Sequence, residues 1–195
     1  MSKKELKKAS EVLANAFSKD PIFEEMQISK ELIIRMYEMI IRVSLRYGNV
    51  YATSTKFEGV MSITSDKNSV IKLWYLIRSG AIFPALKLYN KFGKLMKESG
   101  KILDEDKKNL NIGPYIYLGV IGVSQESQGK GYGGKMLRAL INEAEAEGKA
   151  IYLETETKEN VNMYNRFGFE IIKKFSIPSL NLPIWEMVRK RNSII

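Results

Sequence analysis

Gln128-Gly129-Lys130-Gly131-Tyr132-Gly133-Gly134 places four glycines in seven positions. The run follows an apolar, β-rich stretch ending at Val123 and precedes a stretch with helical periodicity. Glycine lets a backbone come close to a ligand, and a helix N-terminus presents unpaired N–H groups to an anion. The run therefore reads as a phosphate cradle rather than as a flexible turn between strand and helix. More than one phosphate-binding pattern overlaps it, and its surroundings decide among them.

Gly129-x-Gly131-x-x-Gly134 has the spacing of a dinucleotide fingerprint, with Glu154 at the end of the next strand. In that fingerprint the first glycine turns directly off its strand. Here the polar Ser124-Gln125-Glu126-Ser127-Gln128 intervenes, and no second nucleotide-binding half follows. Gly129-x-x-x-x-Gly134-Lys135 has the outline of a P-loop, but Met136 stands where a Ser or Thr hydroxyl must bind magnesium. A thioether cannot take that place.

Composition narrows the chemistry further. The 195 residues contain no Cys and no His, which removes disulfides, thiolate or imidazole metal sites, and any Cys or Ser–His nucleophile. No metal is expected. A general base must be a carboxylate, a tyrosine, a shifted lysine, a terminus or ordered water. The net charge is +9, from 31 Lys+Arg against 22 Asp+Glu, which suits a polyanionic or phosphorylated partner. The cations are scattered, with no basic block interleaved with aromatics, and this argues against nucleic acid. No apolar run is long enough to span a bilayer and Met1-Ser2-Lys3-Lys4-Glu5 lacks a signal-peptide core, so a cytoplasmic protein with no membrane partner is expected.

Periodicity predicts a first helix through Leu6, Leu13 and Phe17, stopped at Ser18-Lys19-Asp20-Pro21, and a second over 29–47, ended by Gly48. Short strands are predicted near 49–54 and 59–64. Residues 69–110 read as helical in two or three pieces, broken at Gly80, Pro84 and Gly100. Tyr115–Val123 reads as a central strand, followed by a helix to about Glu147, a strand at Ala150–Thr155, a short helix at 160–167 and two closing strands near 169–176 and 184–188. Strand, helix, parallel strand, helix, strand is an α/β pattern in one domain.

From Tyr115 onward the chain resembles the GNAT superfamily of N-acetyltransferases, most of all the branch containing puromycin N-acetyltransferase. The pyrophosphate loop of that superfamily, Gln/Arg-x-x-Gly-x-Gly/Ala, is met by Gln128-x-x-Gly131-x-Gly133. Tyr115-Ile116-Tyr117-Leu118-Gly119-Val120-Ile121-Gly122-Val123, Tyr152-Leu153-Glu154-Thr155 and 160–169 agree in order and spacing. The resemblance implies a mixed α/β (α+β) fold with one twisted sheet, central parallel strands that splay apart, and flanking helices. Residues 1–110 would form the acceptor side and 111–195 the acetyl-CoA-binding core.

The resemblance also implies roles. Acetyl-CoA would be the co-substrate and an amine the acceptor, in a monomer or homodimer. Backbone groups of Ile121, Gly122 and Val123 would meet the pantetheine arm. Gln128, Gly129, Lys130, Gly131, Tyr132, Gly133 and Gly134 would hold the pyrophosphate, and Asn160 would contact the arm, with helix capping as an alternative role compatible with it. Tyr164 would protonate the departing thiolate, with a core tyrosine as the alternative. Glu154 would act as general base, with Glu156, Tyr115 or a chain of waters left open. A CoA-binding domain that has lost catalysis is the alternative for the whole chain.

Overall fold

The computed structural model describes residues 1–191, so the last four residues of the expected domain lie outside the described residues. The chain runs α1 (Lys3–Ala16), α2 (Pro21–Glu25), α3 (Lys30–Tyr47), β1 (Gly48–Ala52), β2 (Gly59–Ser65), α4 (Leu73–Arg78) and α5 (Ile82–Asn109). The second half runs β3 (Tyr115–Val123), α6 (Tyr132–Ala146), β4 (Ala150–Thr155), α7 (Lys158–Asn165), β5 (Glu170–Ile177) and β6 (Leu182–Arg189).

Local chemistry sets the helix starts. Ser2 and Glu5 exchange hydrogen bonds as a capping box on α1. Asp20 accepts from the Ile22 amide with Pro21 at the first helical position of α2. Thr157 caps α7, so that helix begins at Lys158 instead of Asn160 as the sequence suggested. α5 is also longer than predicted. Only the Gly80 region interrupts the segment, because Pro84 lies in the first turn of α5, where a missing N–H costs nothing. Gly100 sits inside the helix without ending it.

The strands form one six-stranded mixed sheet in the order β1-β2-β3-β4-β6-β5. Only β3 and β4 are parallel, and they pair over just three positions, Tyr115–Ala150, Ile116–Ile151 and Tyr117–Tyr152. Beyond Tyr117 the two strands part. The register of β3 against β2 shifts at the same place: Ser62 faces Val120 while Ile63 faces Leu118, leaving Gly119 as a bulge. A bulge bends its strand, which suits the parting.

Helices cover both faces. α1, α3 and α5 pack against one side of the sheet through Leu13, Ile41, Leu88 and Phe92. α6 and α7 cover the other through Leu137, Leu140, Val161 and Tyr164, against Ile151, Leu153 and Met187. Gly122 permits the first of these contacts. A methyl group there would come 2.8 Å from Leu13 Cδ2 and 3.0 Å from Phe17 Cε2. Among the described residues no helix is long and apolar enough to cross a membrane.

Candidate active site

The parting of β3 and β4 opens into a cavity of about 630 Å³. At one end lie Gln128 and Gly133; Ile121, Val123, Asn160 and Tyr164 line the middle; Phe17, Tyr37 and Phe92 line the far end. Glycine loop, strand edge and the sequence-predicted tyrosine are thus brought to one continuous cleft.

At the loop end, Gly131 is the N-cap of α6 in the left-handed conformation, φ 80°, and no side chain caps the helix. Gly129 has φ 75°. Among the described residues, no backbone acceptor is recorded for the N–H groups of Gly129, Gly131, Tyr132, Gly133 or Gly134, whereas Lys130 donates to Ser127 and Lys135 to Gly131. An uncapped helix start with free amides fits a pyrophosphate. The side-chain amide of Gln128 donates to the Val123 carbonyl oxygen at 3.3 Å and so ties the loop to the strand end. Lys130 and Lys135 are exposed beside it. Arg138, unremarked in the sequence, lies one turn down α6, with its guanidinium 5.9 Å from the Phe167 ring and close to Gly134.

In the middle of the cleft, Ile121 and Val123 lie on the stretch of β3 with no β4 partner. Gly122 lines the cavity too, while its Cα approaches α1. Asn160 is half-buried and, with Thr157 doing the capping, its side chain is left to the cleft. Tyr164 is 7% exposed, its ring 5.4 Å from that of Phe169, and among the described residues its hydroxyl has no hydrogen-bond partner. Burial, and secondarily the Glu156 carboxylate, hold this phenol well above its ordinary pKa.

The carboxylates divide into two sets. Glu154 lines the cleft, but its Oε1 lies 2.8 Å from Lys107 Nζ on α5, with both side chains under 10% exposed. Lys107 in turn sits 4.1 Å from the centre of the Tyr117 ring. Glu156, two residues further on, has no such cation among the described residues. Burial first, then repulsion from Asp20 and Glu154, raises its pKa to about 8. Asp20 shares the cavity and is also raised by burial, although the Ile22 and Phe23 amides oppose the shift. Tyr37 is raised by burial and by these same two carboxylates, and stacks on Phe17 at 5.5 Å.

One reading of the sequence is displaced. Tyr115 lies at the paired end of β3, its hydroxyl 3.1 Å from that of Ser69, and does not line the cavity. The α5 side chains Leu88, Phe92 and Leu95 border the cavity instead. Asp20 went unassigned because Ser18-Lys19-Asp20-Pro21 reads only as the stop of the first helix. Among the described residues no group of three metal-ligating side chains is found.

This architecture, a mixed sheet splayed at a glycine-rich helix start, is the GNAT fold. Residues 99–169 match the model of the acetyltransferase (GNAT) family. An uncharacterized N-acetyltransferase of Schizosaccharomyces pombe is 28% identical over 180 residues, covering 85% of this chain and 71% of that protein. Two solved structures share the fold nearly end to end. One is described as histone acetyltransferase HPA2 and related acetyltransferase from Corynebacterium glutamicum, with TM-score 0.65 and 21% identity over 98% of this chain and 94% of that one. The other is arylalkylamine N-acetyltransferase 2 from Aedes aegypti, with TM-score 0.63 and 12% identity over 98% and 97%. The family model and the Schizosaccharomyces pombe relative support the GNAT superfamily and an N-acetyltransferase, and the two solved structures share the fold.

Proposed function

We propose that the protein transfers the acetyl group of acetyl-CoA to the nitrogen of a primary amine by direct attack, with Glu156 as general base and Tyr164 as general acid. The observation that carries this reading is the continuity of the cleft, from the free amides at Gly129–Gly134 to the carboxylates and aromatic side chains at its far end. The motif order from Tyr115 to Phe169 supports grouping it with the puromycin N-acetyltransferase branch.

Gly129, Gly131, Tyr132, Gly133 and Gly134 would hold the pyrophosphate by their amides, and the unpaired edge at Ile121 and Val123 would meet the arm. Acetyl-CoA supplies an activated acyl group as a thioester. Phe17, Tyr37 and Phe92 exclude water from the acceptor end and suit an amine with an apolar body. A protonated amine is attracted to Asp20, and Glu156, with its pKa near 8, takes that proton in its ionised fraction, which grows as pH rises from neutral toward 8. Tyr164 keeps its own proton at neutral pH and can donate a hydrogen bond to a thiolate as it develops beside it. Glu154 would then help to set the field around Glu156 and leave proton transfer to it, since Lys107 already balances its charge.

The test is thiol release from acetyl-CoA in the presence of arylalkylamines, polyamines and peptides, with the acetylated amine identified by mass. Coenzyme binding with no amine-dependent thiol release would instead favour a domain that has lost catalysis.

A further inference from the structure

The α4–α5 segment leaves an unusual surface outside the cleft. Large apolar side chains stand in solvent on both helices: Leu73, Trp74 and Ile77 on α4 are 67%, 58% and 49% exposed, and Phe83, Leu86 and Tyr89 on α5 are 75%, 62% and 70% exposed. The three on α5 recur every third residue, on the side away from Leu88 and Phe92, which enter the core. Lone exposed apolar residues are common, but a run of six within two consecutive helices marks a surface that meets something.

Charge says what it meets. Residues 69–97 contain Lys72, Arg78, Lys87, Lys91, Lys94 and Lys97 and no Asp or Glu. All six cations are exposed. Arg78 lies 5.5 Å from the Trp74 ring, so cation and aromatic are intermingled. A shallow concavity of about 300 Å³ adjoins α4, where Lys3, Arg42, Arg46 and Arg78 converge with no carboxylate in its lining. Arg42 is paired with Glu38, and among the described residues no ion pair is recorded for Lys3, Arg46 or Arg78.

We infer that this face docks on an anionic lipid surface, with the aromatic and aliphatic side chains at the headgroup boundary and the cations on the phosphates and carboxylates around them. Trp, Phe and Leu beside Lys and Arg is the composition of helices that lie in a membrane interface. Each cation near such a surface adds attraction that falls off within a Debye length. A second copy of the chain would bring like cations together across a two-fold axis. Nucleic acid would use the aromatics for stacking but leave Leu73, Ile77 and Leu86 without a partner. The expectation of no membrane partner rested on the lack of a spanning segment, which peripheral docking does not require.

The test is co-sedimentation of the full chain with vesicles of phosphatidylcholine alone or with about 30% phosphatidylserine, at low salt and at about 0.5 M salt. In a Trp185→Phe background, Trp74 reports its own environment. Binding is expected only to the anionic vesicles, with a blue shift of Trp74 emission and loss at high salt. Lys87→Glu with Lys91→Glu should lower the partition coefficient by about tenfold or more, as should Trp74→Ser with Phe83→Ser. Thermal melts establish that the variants are folded. No binding to anionic vesicles at low salt overturns the inference. So does equal binding to neutral vesicles, unchanged binding by both folded double variants, or retention by RNA with none by vesicles.

Discussion

Lys107 Nζ lies 2.8 Å from Glu154 Oε1, with the two side chains 7% and 9% exposed, on elements that meet only in the folded chain. Breaking a buried pair leaves one charge without a partner, which costs about 3–5 kcal/mol. Lys107→Met should therefore lower the urea midpoint sharply, and adding Glu154→Gln should restore most of it. If the double variant is no more stable than Lys107→Met, the pair is not what holds α5 to β4.

Glu156 makes stability depend on pH in a defined direction. Its carboxyl has an ordinary value of 4.5 in the unfolded chain and about 8 in the fold, raised by burial and by Asp20 and Glu154. Between those values the unfolded chain has released a proton that the fold retains, so stability falls as pH rises through this window. Glu186, raised by burial to about 7, acts in the same sense. Glu156→Gln should raise Tm near pH 8 and do little near pH 4.5. An equal gain at both pH values would contradict the assignment.

The same residue should govern rate. With an amine that supports turnover, kcat/KM should rise with pH, pass half its maximum near pH 8 and level off above it. Glu156→Gln should abolish that rise and lower the rate roughly 10²- to 10⁴-fold. Glu154→Gln should leave a rising profile; a flat one would return the base to Glu154.

Tyr164→Phe removes a hydroxyl for which no hydrogen bond is recorded, so the fold should tolerate it. The expected result is a fall in kcat of about 10²-fold with coenzyme affinity unchanged, measured by isothermal titration. Equal losses in affinity and rate would point to packing against Phe169 rather than proton delivery.

Gly122→Ala should destabilise without touching the loop. Its new methyl would meet Leu13 and Phe17 on α1, and Leu13 is wholly buried with little room to yield. Overpacking of this kind costs about 1–3 kcal/mol. A melting temperature equal to wild type would show that α1 shifts freely.

Much of this was legible in the chain because local chemistry determines it. The apolar run Tyr115–Val123 and the stretch Ala150–Thr155 are the two parallel strands, with the bounds the sequence predicted. The glycines at 129 and 131 take the left-handed conformation that a tight approach to a helix start demands. Pro84 and Gly100 misled because a breaker's effect depends on its place in the helix, which composition does not give. Asp20 and Glu156 meet only through tertiary assembly across the length of the chain. Lys107 stands in the polar run Asp104-Glu105-Asp106-Lys107-Lys108, where nothing distinguishes it from a solvated lysine.

The short ladder between β3 and β4 has a mechanical meaning. It divides the sheet into two three-stranded plates, β1-β2-β3 and β4-β6-β5, stitched together at three residue pairs. Anything that hydrogen-bonds along the open edge from Leu118 to Val123 acts as a splint across that seam. Occupancy of the gap should therefore slow amide exchange in both plates at once, including strands that never touch the occupant.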